Sequence, residues 1–222
     1  SCFPIFKPQV IHQNEYLDGG LSDNMPINML IKKGYKNIIL IDVTGIGVIK
    51  KNVDSSIYVK VIRPEEDLGG TFNFNHDNMI KNMKLGYYDT LKSFHKVIGN
   101  YFCFSLKEFN KLLKKFTLEE IKGLEIAGKI YGLDRFKIYE ACEFLDLICM
   151  CYDKEEKEYQ KVREQLTLSN ISSYIKRGTG ISVALDLIAN YPTLYHESLI
   201  KKMIGDYVNA AHSIQIVKNL AK

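Results

Sequence analysis

The chain has 222 residues, 46% of them hydrophobic and 25% charged. These are ordinary values for a folded globular protein of one or two domains. Thirty Lys and Arg against 26 Asp and Glu leave a net charge of +4, spread evenly: 12 positive and 10 negative charges in residues 1–98, 18 and 16 in residues 99–222. With no basic arm or stripe, the balance argues against a nucleic-acid partner. No apolar run approaches the 18 residues of a membrane-spanning helix, and no charged-then-apolar leader opens the chain.

Residues 1–98 read as α/β. A short helix is predicted between Pro26 and Lys33, with Asp23 or Asn24 as N-cap and Gly34 as C-cap. Two β-branched runs, Asn37–Ile41 and Ile57–Ile62, read as buried strands. Helix followed directly by apolar strand is the rhythm of a sheet covered by helices. From Asp77 to Ile98 the pattern turns helical, with Ile80, Met83, Tyr87, Leu91 and Phe94 on one face.

Residues 99–222 read as all-helical, with the boundary expected between Gly99 and Phe104. Thr117-Leu-Glu-Glu120 is a capping box opening a helix with Ile121, Leu124 and Ala127 at its spacing. Asp134 is predicted to cap a second helix presenting Ile138, Cys142, Leu145 and Cys149. Residues 153–164 read as a solvated helix, and two or three more helices fit 181–220.

The five cysteines (2, 103, 142, 149 and 151) are odd in number and follow no secretion signal, so reduced core thiols are expected. The five histidines are scattered with no His-x-x-x-His pair, so no metal site is expected. Leu40-Ile-Asp-Val-Thr-Gly45 lacks the second Asp of a phosphatase strand, and Asp42 reads as a strand-end residue. Fourteen Tyr and 11 Phe read as core and interface.

The most informative stretch is Tyr16-Leu-Asp-Gly-Gly-Leu-Ser-Asp-Asn-Met-Pro26. A carboxylate followed by two glycines allows a tight turn with positive φ. Such a turn can hold Asp18 at a strand end, where catalytic groups often sit, or Asp18 can simply bond its own backbone.

Asp-Gly-Gly-Leu-x-Asp-Asn-x-Pro resembles the aspartate block of the patatin-like phospholipase family. Ser1-Cys-Phe-Pro-Ile-Phe-Lys-Pro8 resembles the block that precedes it. Lys36–Val43 resembles the family's next strand, and Arg63–Gly70 with Phe72-Asn-Phe74 the segment closing the domain. The resemblance covers residues 1 to about 98. It implies the C-terminal part of a three-layer α/β/α sheet domain, followed by the helical region 99–222. It implies a lipid or phospholipid ester as substrate, hydrolysed by a Ser-Asp dyad that needs no metal or cofactor. Asp18 would be the general base, supported by Gly19, Gly20, Asp23, Asn24 and Pro26, with the glycines permitting close backbone approach.

The family's Gly-x-Ser-x-Gly nucleophile elbow and Gly-rich oxyanion loop precede the aspartate block, and neither occurs in this sequence. Without them the main electrostatic contribution to acyl transfer is missing. A fragment inactive by itself is therefore expected, with its preceding half missing, an exposed sheet edge and an open core. Gly180-Ile-Ser-Val-Ala184 resembles an elbow but follows a poor strand. It reads as a loop entering a helix, with Thr179 or Ser182 near the cap. The alternative reading is a helical interaction or membrane-docking module on a non-catalytic remnant, touching a membrane surface only transiently. The Lys- and Ile-rich composition without a leader suggests a cytoplasmic protein.

Overall fold

The structure is a computed structural model that describes residues 7–43, 55–70, 75–165, 173, 175–190 and 198–220. Cys2, most of the Ser1–Pro8 block, Thr44, Gly45 and Phe72–Phe74 lie outside the described residues. The chain divides into two compact units, Ser1–Ser93 and Phe94–Lys222. The first is mixed α/β and the second mostly helical.

In the first unit, β1 (Gln9–Ile11) and β2 (Asn14–Tyr16) form an antiparallel hairpin. Its two turn residues, His12 and Gln13, both have positive φ, the geometry that matches strand twist across a two-residue loop. A helical turn at Gly19–Leu21 leads to α1 (Ile27–Lys32). Gly34, at φ +88°, turns the chain out of α1, where only glycine is unstrained. The cap at the other end is Pro26, with no side-chain bond, instead of the expected Asp23 or Asn24. Proline's fixed φ suits a helix start without a side-chain acceptor.

The strands β3 (Asn37–Ile41) and β4 (Tyr58–Ile62) pair in parallel, Asn37 opposite Tyr58 through Ile41 opposite Ile62. They are not the buried strands that their sequence suggests. Ile38 and Ile62 are buried, but Ile39 and Ile41 are 59% and 68% exposed.

The helix α2 (His76–Ser93) ends before the predicted Ile98, because His95 has positive φ. Its inward stripe is also not the predicted one. Leu85 and Asp89 are buried, whereas Ile80, Met83, Tyr87 and Phe94 are exposed. The inward side chains bind the preceding loop: Asn78 and Asn82 Nδ2 donate to Leu68 O at 3.1 and 2.8 Å, and Glu65 N donates to Asp89 Oδ2 at 3.0 Å. Polar positions 78, 82 and 89 therefore face inward, and period-based reading of apolar residues selects the wrong side.

The second unit holds a continuous core. The region is not free of strands, since β5 (Cys103–Phe104) pairs in parallel with β6 (Ile138–Tyr139). These short strands place Phe102, Phe104 and Tyr139 against Phe144, with ring centroids 5.0–5.3 Å from it. Edge-on and tilted aromatic contacts of this kind add to the area they bury. The helix α3 (Leu106–Leu113) starts at Ser105, whose hydroxyl accepts from Glu108 N. The helix α4 (Leu118–Ile130) starts at Thr117 with the full capping box: Thr117 N to Glu120 Oε2 at 2.7 Å, Glu120 N to Thr117 Oγ1 at 3.3 Å.

The helix α5 (Ala141–Val162) begins after Glu140, not at Asp134. Asp134 instead closes a local turn with Phe136 N, and Ile138 belongs to β6. Of the predicted face, Cys142 is exposed, while Phe144, Ile148 and Tyr152 are buried. The stretch 153–164 is not wholly solvated, since Glu155 and Tyr159 are buried. The helices α6 (Gly180–Asn190) and α7 (Ser198–Leu220) complete the unit. At Gly123 of α4, a Cβ would lie 2.0 Å from Ser213 Oγ and 2.7 Å from Asn209 O, both on α7. Glycine at that position allows the two helices to meet backbone to side chain. No helix among the described residues is long and apolar enough to cross a membrane.

Candidate functional site

Asp18 stands two residues beyond the end of β2 and is half-buried. Its Oδ1 accepts from Gly20 N at 2.8 Å, and its carbonyl accepts from Leu21 N at 3.2 Å. The carboxylate thus caps the Gly19–Leu21 turn by the local side-chain-to-backbone bond typical of Asp in turns. Its other oxygen has no hydrogen-bond partner among the described residues.

Both glycines adopt negative φ, so the expected positive-φ turn is a 3-10 turn instead. A Cβ on Gly19 would meet nothing within 4 Å, so close approach at Gly19 is not a property of the described residues. Asp23 bonds the next turn, its Oδ1 accepting from Met25 N at 3.2 Å. Met25 and Ile27 are buried and anchor the start of α1. The structure therefore brings Asp18, Gly19, Gly20 and Asp23 into one compact turn, with half-buried Asn24 and exposed Pro26 leading into α1.

A second feature of this unit escaped sequence reading. A groove of about 390 Å³ opens at the carboxyl ends of β3 and β4 beside α2. Ile41, Ile62, Met79 and Met83 give it apolar walls, and Asp42, Arg63, Asn82, Asp89 and Thr90 are its polar lining. Asp42 is buried and pairs with Arg63, Nε to Oδ2 at 2.9 Å. Asn82 Oδ1 is buried with no hydrogen-bond partner among the described residues. Asp18 is not among the residues lining this groove. The strand-end position of Asp42 was legible, but Asn82 and Asp89 fall on the side of α2 that hydrophobic periodicity assigns to solvent.

In the second unit, Gly180-Ile-Ser-Val-Ala184 forms the first turn of α6. A π-helical turn, Ile175–Thr179, precedes it where an elbow needs a strand. Ser182 is buried, and its N–H donates to Glu155 Oε1 at 2.9 Å. Thr179 and Ser182 thus stand at the helix start as expected, Thr179 directly before α6 and Ser182 in its first turn, where a carboxylate from α5 is the acceptor. Tyr131 Oη donates to Glu155 Oε2 at 2.7 Å. Burial raises the Glu155 carboxyl above its usual range, opposed by the bonds from Ser182 and Tyr131. Burial also raises the Tyr131 hydroxyl, with the Glu155 charge adding to it.

Cys103 is buried, Cys142 exposed, and Cys149 and Cys151 half-buried. Only Cys103 is therefore a core thiol of the expected kind among those described. Burial pushes the thiols of Cys149 and Cys151 up, which lowers their thiolate fraction. Among the described residues no group of three His, Cys, Asp or Glu is placed to hold a metal ion. Compared with family models, curated proteins and solved structures, the chain finds no match.

Proposed function

We propose that the chain is the aspartate-bearing part of a patatin-like lipid acyl hydrolase, with Asp18 as the general base of a Ser-Asp dyad. The observation that carries this reading is the disposition of Asp18. It follows a strand, its Oδ1 is held by Gly20 N–H, and its other oxygen is left without a partner among the described residues. A carboxylate fixed at one oxygen can accept a serine proton at the other. An Asp at its ordinary pKa of about 3.9 is a weak base, so the dyad needs the remainder of the site to desolvate Asp18.

The parallel pair β3–β4 and the helix–strand step from α1 to β3 accord with a three-layer α/β/α sheet domain. In this reading a further helical layer covers the face of the sheet that carries the exposed Ile39 and Ile41. The nucleophile and the oxyanion hole come from sequence outside these 222 residues, the substrate is a lipid or phospholipid ester, and contact with a membrane surface is transient. No cofactor enters the mechanism. The alternative, a non-catalytic interaction or membrane-docking role for the helical unit, has no comparable observation behind it.

The test is labelling with a fluorophosphonate, read by intact mass. The 222-residue chain alone is expected to form no adduct. A longer product that includes a Gly-x-Ser-x-Gly elbow from the adjoining coding sequence is expected to label and to hydrolyse a short-chain phospholipid. Asp18→Asn in that product should lower hydrolysis by at least about 100-fold, the upper scale of a lost general base being 10⁴. An adduct on the 222-residue chain, or full activity of Asp18→Asn, refutes the assignment.

A further inference from the structure

A surface helix of a globular protein turns its apolar stripe to the core, and α2 does the reverse. Asn78, Asn82, Leu85 and Asp89 form its inward side. Ile80, Met83, Tyr87 and Leu91, at the three- and four-residue spacing of one helix face, lie on the side opposite Leu85. Ile80, Met83 and Tyr87 are 41%, 75% and 61% exposed. From Ile80 to Leu91 the stripe runs about 16 Å, at about 1.5 Å per residue. Because Leu85 packs inward, a layer laid on the sheet beside α2 covers Ile39 and Ile41 but leaves this side of the helix open.

The charges around α2 decide what can cover the stripe. The carboxylates of the loop before it are held at its inner edge: Glu66 by Lys81 at 3.0 Å, Glu65 by Lys92 at 2.8 Å, and Asp67 by Gly69 N at 2.9 Å. Asp77 is in the first turn, beyond the end of the stripe. Exposed Lys84 stands level with the middle of the stripe. A second copy packed on the stripe, parallel or antiparallel about its middle, sets Lys84 beside Lys84, and like charges facing each other disfavour association.

A lipid surface takes the same lysine without conflict. Its stem lies along the apolar face while its ammonium reaches the phosphates. Tyr87, with an apolar ring and a polar tip, suits the same depth. The net charge of +4 on the chain favours an anionic surface over a neutral one.

We propose that α2 docks on an anionic bilayer, with Ile80, Met83 and Tyr87 at the acyl boundary and Lys84 among the headgroups. The proposal rests on the acyl-hydrolase reading for bringing the protein to lipid. Its test measures binding without hydrolysis, so either can fail while the other stands.

The experiment measures co-sedimentation of the full 222-residue protein with vesicles of phosphatidylcholine, alone or with about 30% phosphatidylserine. The mixed vesicles are expected to bind at least about tenfold more tightly, each lysine near the surface contributing about fivefold. Met83→Glu, which places a charge at the most exposed position of the stripe, is expected to weaken binding at least about tenfold. Lys84→Glu is expected to weaken binding to the mixed vesicles at least about tenfold and to phosphatidylcholine less than about threefold. Met150→Glu makes the same change at a 68% exposed position of α5 and should leave binding unchanged. Thermal midpoints should not move in any variant, because the replaced side chains are exposed. Binding to neither vesicle, equal binding to both, or equal loss from Met83→Glu and Met150→Glu overturns the assignment. So does a dimer in sedimentation equilibrium that Met83→Glu dissolves while vesicles bind nothing, which would give the stripe to a second copy of the chain.

Discussion

Glu125 of α4 is 2% exposed and wraps the loop before β5 around its carboxylate. Oε1 accepts from Asn100 N at 2.9 Å and Phe102 N at 3.0 Å, and Oε2 from Asn100 N at 3.1 Å and Asn100 Nδ2 at 3.0 Å. Gly99 makes the loop possible. It has φ +131°, and a Cβ there would lie 2.4 Å from Phe102 O and 3.1 Å from Glu125 Oε1. Glu125→Ala removes the acceptor for three N–H groups. A hydrogen bond to a charged group contributes about 1.5–3 kcal/mol. Water reaches exposed Asn100 and offsets part of its loss, while the N–H of Phe102, a fully buried residue, bears the full desolvation cost. The expected destabilisation is about 3–5 kcal/mol, a large fraction of a typical total of about 5–15 kcal/mol.

At about 3 °C per kcal/mol for a unit of this size, the melting midpoint of the helical unit should fall by roughly 10–15 °C. The fall is followed by circular dichroism at 222 nm, and urea titration supplies the free energy. Glu125→Gln keeps one acceptor oxygen but sets an amide NH₂ against Asn100 Nδ2, and should lose about half as much. If Glu125→Ala shifts the midpoint by less than about 3 °C, corresponding to about 1 kcal/mol, the carboxylate does not hold the loop and the reasoning fails.

Two further outcomes follow from the same unit. Burial holds the Glu155 carboxyl above its usual value of 4.5. The folded state therefore keeps a proton that the unfolded state releases, and this group's contribution to stability falls as pH rises from 4.5 through the folded value. Glu155→Gln should flatten that fall when midpoints are compared from pH 4 to 8, and an unchanged slope would place the titration elsewhere. Gly123→Ala should cost about 1–3 kcal/mol by overpacking against α7. Adding Ser213→Gly should recover part of that loss in urea titration, because it removes the nearer clash but not the one with Asn209 O. No recovery at all would mean that α4 and α7 do not meet as closely as described.

What sequence reading captured is local. The capping box at Thr117–Glu120 appears as spelled, because both partners lie within one turn. The parallel strands at 37–41 and 58–62 also appear, because β-branched runs bounded by turn residues have few alternatives. What it missed depends on partners far along the chain. Asp134 has the residue type of a helix cap, yet α5 starts at Ala141, whose N–H donates to Glu108 Oε2 of α3 at 3.0 Å. The start of α6 is likewise set by Glu155, 27 residues away. The inward side of α2 is polar for a similar reason, since Asn78, Asn82 and Asp89 answer the backbone of loop 65–68. At the candidate site, the turn formed by Asp18 and Asp23 was legible. The handedness of its glycines was not, because Gly-Gly permits a 3-10 turn as readily as a positive-φ one.

Three glutamates of the helical unit, at 108, 125 and 155, each hold backbone N–H groups of another segment. The first turns of α5 and α6 therefore have no complete set of acceptors until α3 and α5 have docked. Fraying at those ends breaks a tertiary contact as well as a helical one. Amide hydrogens of Phe102, Ala141 and Ser182 should then exchange with solvent on one common timescale, set by cooperative opening of the whole unit. Helix ends capped by their own sequence, such as that at Thr117, remain free to open and close by themselves.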